Sequence, residues 1–274
     1  MSFVIDETKH KMMASLVRGG KNVMLTGATG AGKTTYCFEL AKELGMDVSV
    51  VNLGSTQDAR TSLLGYFELQ DGNTKFVMSD FIKAIQKPNT LVVLDELSRA
   101  SDDAFNILFP ILDHRREVIV EEKDGTERSV KVDESVRFMA TCNIGMEYSA
   151  TRSLDRALQD RFMTFNLPYI SGEQVCDYIN DSYTLSESEK SQLNLLASMY
   201  DYSHKLFGNG KIGTRISTRS LIDVVSLVQD GGFTIKDILE HAILSQYEQD
   251  SSTIVNDANI LREYADSLGI FETR

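Results

Sequence analysis

The sequence predicts an α/β protein: a three-layer αβα core with a parallel sheet and two β-hairpin insertions, followed by an all-α domain. Three observations predict it. Short apolar runs alternate with helically spaced segments up to Pro168; two Asp-Gly pairs, Asp71-Gly72 and Asp124-Gly125, each lie between β-prone runs; and beyond Pro168 only helical patterns remain. The expected division is a core over residues 1–168 and a helical domain over residues 169–274. A chain of 274 residues, 42% of them apolar, can bury both. With three prolines and no Pro/Ser/Gly-rich linker or internal repeat, the two are joined tightly.

Taken in order, Glu7 to Val17 reads as a short helix, and Asn22 to Thr26 as a buried strand entering a Gly-rich turn. From Thr34 to Leu44, Phe38, Leu40, Ala41 and Leu44 recur at helical spacing, and Gly45 supplies the C-terminal cap. A strand over Val48 to Leu53 follows. Leu91 to Leu94 is uninterrupted apolar, as in a strand covered on both faces, and Arg137 to Cys142 is of the same kind. The runs Tyr66 to Met78 and Glu117 to Val132 flank the two Asp-Gly pairs and predict hairpins projecting from the core. After Pro168 the helices expected are Glu173 to Asn180, Glu187 to Phe207, Arg219 to Gln229, Ile235 to Glu248 and Ala258 to Leu268.

A formal charge of -12 repels nucleic acid and anionic membrane at long range, and Arg115-Arg116 is the one basic cluster. No apolar stretch approaches the ~20 residues that cross a bilayer, and the charged N-terminus does not read as a signal peptide. Cys37, Cys142 and Cys176 are too far apart for a disulfide framework or a zinc site, so a cytoplasmic location is expected. His10, His114, His204 and His241 lack metal-ligand spacing and read as surface or helix residues.

The chemistry concentrates in Gly27-Ala28-Thr29-Gly30-Ala31-Gly32-Lys33-Thr34, a full G-x-x-x-x-G-K-S/T between a predicted strand and a predicted helix. The pattern resembles the phosphate loop of the P-loop NTPases. Its glycines let successive backbone N–H groups turn onto phosphates, and the helix beginning near Lys33 aims its positive dipole end at them. Lys33 is expected on the β- and γ-phosphates of ATP, with Thr35 nearby, and Thr34 on Mg²⁺. Leu91 to Leu94 runs into Asp95-Glu96, a strand expected to lie beside the P-loop strand; Asp95 then orients the magnesium shell and Glu96 polarises the attacking water.

Together Gly27 to Thr34, Asp95-Glu96 and the strand ending in Asn143 resemble the AAA+ ATPases. The segments Leu63-Leu64-Gly65-Tyr66, Leu94 to Ala100, Ala140 to Asn143 and Leu154 to Phe162 are similar to the MoxR branch, with CbbQ/NorQ-like and CobS-like proteins nearest. The resemblance implies that Asn143 senses the γ-phosphate, that Arg161 enters a neighbour's ATP site with Arg156 in reserve, and that Arg219 is the sensor of a helical lid, Arg215 competing. It further implies a hexameric ring that acts on a protein substrate or through a von Willebrand A-domain adaptor, its hairpins (Tyr66, Phe67, the Asp124-Gly125 tip) near the central pore. A nucleic-acid motor similar to McrB shares the core and is the alternative; the acidic balance counts against it. MoxR-type proteins commonly carry Asp-Glu-Ile-Asn-Arg-Ala where this chain has Asp95-Glu96-Leu97-Ser98-Arg99-Ala100.

Overall fold

The computed structural model describes residues 5–55, 58–70, 73–121, 127–143, 156–247 and 257–270. Two compact units part between Pro168 and Tyr169.

In the first, α1 (Glu7–Arg18) begins where the Asp6 carboxylate accepts the N–H groups of Thr8 and Lys9. Strand β1 (Val23–Gly27) is buried throughout and leads through the Gly-rich loop to α2 (Lys33–Leu44), which stops at Gly45 in the left-handed conformation. There follow β2 (Asp47–Asn52), α3 (Ala59–Leu63), the antiparallel hairpin β3 (Gly65–Gln70) and β4 (Asn73–Met78), α4 (Asp80–Gln86) and β5 (Thr90–Asp95). A 3-10 turn, Leu97–Arg99, leads to α5 (Asp102–Leu112). The second hairpin pairs β6 (Glu117–Glu121) with β7 (Glu127–Lys131), and β8 (Arg137–Asn143), α6 (Arg156–Gln159) and β9 (Met163–Asn166) complete the unit.

The sheet is parallel, in the order β2-β5-β8-β1-β9. This corrects one expectation: the strand ending in Asp95-Glu96 is not beside the P-loop strand. β8 lies between them, its Met139 aligned with Val23 of β1 and with Val93 of β5. β5 and β8 read alike as apolar runs, so nothing local to either says which of them borders β1. A core of Leu94, Phe138, Leu108, Phe81 and Ile82 packs against the sheet.

The second unit is helical: α7 (Gly172–Ser182), α8 (Glu187–Gly208), α9 (Thr218–Asp223), α10 (Val225–Asp230), α11 (Ile235–Asp237), which continues as a π stretch Ile238–Ile243 and a 3-10 turn Leu244–Tyr247, and α12 (Asp257–Ser267). Ser171 with Gln174, and Ser186 with Glu189, form reciprocal caps at the starts of α7 and α8. The single helix expected over Arg219 to Gln229 is interrupted at Val224, where α9 passes to α10. His204 is a helix residue, on α8. It lies against the rings of Tyr169 and Tyr200, centroids 4.2 and 4.4 Å away, and its Nε2 donates to the Ile216 carbonyl at 2.9 Å. Burial lowers its pKa to about 4.

Candidate functional site

Lys33 is the residue from which the site is built. Only 7% of it is exposed, and its Nζ donates to the carbonyls of Gly27 and Ala28 at 3.0 and 2.7 Å. A buried ammonium in a phosphate loop is placed to meet an anionic ligand. The loop around it fits a phosphate chain. Gly30 and Gly32 have φ of 79° and 73°, which only glycine adopts at little cost, and Gly32 caps α2 with no side chain on the helix's first N–H groups. At Gly27 a Cβ would fall 2.9 Å from the Leu167 carbonyl, so the loop's first residue is forced to be small. No acidic residue stands in the first turn of α2 to compete for the lysine.

Thr34 reaches from α2 to the end of β5, where its hydroxyl donates to Asp95 Oδ1 at 2.8 Å. A threonine oxygen and a carboxylate are hard donors of the kind Mg²⁺ takes alongside phosphate oxygens. Among the described residues no group of three or more His, Cys, Asp or Glu gathers as a metal site of its own. Thr35 is exposed one residue further along, and Ala28, Thr29 and Ala31 complete the loop. Asn143, last residue of β8, stands in register with Gly27, which sets its position at the mouth of the loop.

Glu96 follows Asp95 in the left-handed region, φ 55° and ψ 41°, a conformation a non-glycine residue holds at a cost of about 1–3 kcal/mol. Its carboxylate pairs with Arg99, Oε2 to the guanidinium at 3.0 Å, and is seated over Gly54, where an added Cβ would meet Oε2 at 2.0 Å. The Asn52 side chain shapes that seat by accepting the N–H of Gly54 and of Ser55. Since Gly54 follows β2, on the far side of β5 from β8 and β1, the Glu96 carboxylate is turned toward the sheet edge rather than toward the loop.

Three residues that sequence reasoning missed bear on this site: Thr141, Gly54 and Arg99. Thr141 Oγ1 lies 2.6 Å from Asp95 Oδ1 and accepts the Glu96 N–H at 3.0 Å. A signal for it existed, since a hydroxyl inside the apolar run of β8, two residues before Asn143 and so on the same face, has to spend its donor on something. Ser98, where the chain departs from the MoxR-type pattern, is buried, and its hydroxyl has no hydrogen-bond partner among the described residues. Burial raises the Cys142 pKa, and the Lys33 charge acts in the opposite direction.

The arginines are spread more widely. Arg161 follows α6 and packs on its own unit: its guanidinium stacks 4.6 Å from the Phe109 ring centre, donates to the Ala157 carbonyl at 2.5 Å and lies 3.9 Å from Asp113. Its Nε is buried with no hydrogen-bond partner among the described residues. Arg156 is exposed at the start of α6. Arg219 is exposed in the first turn of α9 in the helical unit, whereas Arg215 stacks 4.7 Å over Phe207. In the hairpin β3–β4, Tyr66, Phe67 and Leu69 are 48, 49 and 73% exposed. The Asp124-Gly125 tip lies outside the described residues.

Comparison with known proteins bears on the family and the fold. BssE of Thauera aromatica, named as a chaperone candidate, is 26% identical over 236 residues, 85% of this chain and 76% of that one. An uncharacterised protein of Staphylococcus saprophyticus is 28% identical over 228 residues, 81% of this chain and 83% of the relative. The crystal structure of NtrX from Brucella abortus shares the fold with a TM-score of 0.58 at 14% identity, covering 96% of this chain and 59% of that one. The AAA domain of the dynein-related subfamily matches residues 22–162, a span that holds Lys33, Thr34, Asp95, Glu96 and Asn143 together, and the chain therefore belongs to that family.

Proposed function

We propose that the protein is a magnesium-dependent ATPase of the MoxR branch that works as a hexameric ring and uses hydrolysis to remodel a partner protein. The observation that carries the reading is the contact of Thr34 with Asp95 at 2.8 Å, which ties the helix behind the phosphate loop to the acidic end of β5. In this reading Lys33 leaves its loop carbonyls for the β- and γ-phosphate oxygens. Thr34 and Asp95 would hold magnesium, and the chemistry it would supply is neutralisation of the charge that develops as phosphate is released. The Asn143 amide orients the γ-phosphate. Glu96 takes the proton of the attacking water, for which its carboxylate turns away from Arg99.

Arg161 acts across a subunit interface, a role that rests on the resemblance of Leu154 to Phe162 to the MoxR branch. Arg219 acts from the helical unit, as the lid of the ring. Exposed Tyr66, Phe67 and Leu69 support a protein substrate gripped by the first hairpin, and the name of BssE supports chaperone-like remodelling. A von Willebrand A-domain adaptor rests on the resemblance alone. Three free, buried cysteines support a cytoplasmic setting.

Calorimetry with Mg-ATP and phosphate release test the scheme. Lys33→Ala is expected to lose nucleotide binding. Glu96→Gln is expected to bind ATP while turnover drops by about 10²–10⁴-fold. Unchanged turnover in Glu96→Gln sinks the assignment of the base.

A further inference from the structure

Resting on the ATPase reading above, we propose that Thr141 is a positioning residue whose single hydroxyl sets both the Asp95 carboxylate and the backbone turn that carries Glu96. The direction of its hydrogen bonds follows from proton counting. An ionised carboxylate can only accept, so across the 2.6 Å contact Thr141 donates to Asp95 Oδ1. That uses the one proton the hydroxyl has. Its remaining lone pair accepts the Glu96 N–H at 3.0 Å, and the chain runs in one sense from Glu96 N–H through Thr141 to Asp95. The Thr34 hydroxyl donates its own proton to the same Oδ1 at 2.8 Å. Two donors converging on one oxygen fix the carboxylate's plane, and the lone pairs of Thr34 are left for a cation.

The place of Thr141 in the sheet makes this possible. β8 lies between β1 and β5, so a side chain near its end can reach the acidic strand while Asn143, two residues on, borders the phosphate loop. Thr141 is 1% exposed, and water does not compete for its hydroxyl. The Glu96 N–H lies just past the end of β5, and the Thr141 hydroxyl is its acceptor. A valine would fill the same space and satisfy neither group.

The test compares wild-type protein with Thr141→Val, Thr141→Ser and Thr141→Cys. Amide hydrogen exchange at Glu96 is read without nucleotide; ATP binding is read with and without magnesium; turnover is read across a magnesium titration. In Thr141→Val, exchange at Glu96 is expected to accelerate, ATP binding without magnesium to stay at the wild-type level, half-saturation by magnesium to rise about tenfold and turnover to fall about 10²-fold. Thr141→Ser, which keeps the hydroxyl and loses the methyl, is expected to restore all of these. Wild-type exchange and magnesium dependence in Thr141→Val overturn the proposal. Should Thr141→Val not fold, Ser and Cys, close in volume and different in the bonding atom, decide: equal exchange and turnover in the two overturns it. Exchange at Glu96 needs no nucleotide, so it decides on Thr141 even where wild-type protein shows no turnover, an outcome that counts against the ATPase reading alone.

Discussion

Gly54 and Glu96 show how finely single atoms are placed here. A methyl group at Gly54 would fall 2.0 Å from Glu96 Oε2, yet the obstructed atom is the tip of a flexible side chain and not backbone. Gly54→Ala is therefore expected to keep the fold, with a melting temperature within about 4 °C of wild type, and to push the Glu96 carboxylate off its seat beside Arg99. A change in turnover of about tenfold or more, at unaltered ATP affinity, is the expected result. Identical kinetics would show that the seat has no bearing on the base. The Arg99–Glu96 pair itself is partly solvent-exposed and adds little stability, so its interest is in orientation. None of this was legible in the sequence, where Gly54 is one loop glycine among many. The strand and helix that frame Gly27 to Thr34 were legible, because glycine, lysine and threonine at fixed offsets mark one strand–loop–helix unit and need no distant partner.

At the level of elements, the strands and hairpins whose cues are local appeared where expected, and the misses share a cause. α5 contains Pro110, a residue that argues against a helix, but Ser101 caps its start and Phe105, Leu108, Ile111 and Leu112 are buried along it. β9 has only the four residues Met163–Asn166, and its place at the sheet edge comes from pairing with β1, which no local pattern announces. His204 sits on a helix, α8, one of the two readings the sequence allowed, and its surroundings come from Tyr169 and from the Ile216 carbonyl, which no local pattern announces. With a folded pKa of about 4 against 6.5 when free, caused first by burial and opposed by nearby Asp201, it is neutral in the native state. As pH falls, the unfolded chain takes up the proton first. The stability His204 contributes is present in full above pH 6.5 and is lost as pH drops toward 4. Thermal unfolding followed across that window should show a decline that His204→Phe flattens; a variant declining as steeply as wild type would place the effect elsewhere.

For the whole molecule, strand order is what matters most. The expectation that β5 borders β1 failed because sheet order is a property of the assembled chain, and the strand that intervenes, β8, is the one that brings Thr141 and Asn143 to the site. The proposed ring makes a prediction at this scale as well. Arg161→Ala subunits keep an intact phosphate loop, and Lys33→Ala subunits keep an intact arginine. Mixed together they should recover part of the turnover that each lacks alone, since one interface in the mixture joins a complete loop to a complete arginine. No recovery, with a lowered melting temperature in Arg161→Ala, would assign Arg161 to holding Phe109 and Asp113 within its own subunit.

The three cysteines have a practical corollary. All are buried, and desolvation raises the pKa of each, Cys176 to about 11. Alkylating and maleimide reagents attack the thiolate, so at neutral pH the native chain offers them almost nothing to react with. A cysteine introduced on the exposed face of the first hairpin would thus be the single labelled position of the folded protein, giving fluorescence or cross-linking tests of the proposed ring and substrate a silent background without removing any native residue.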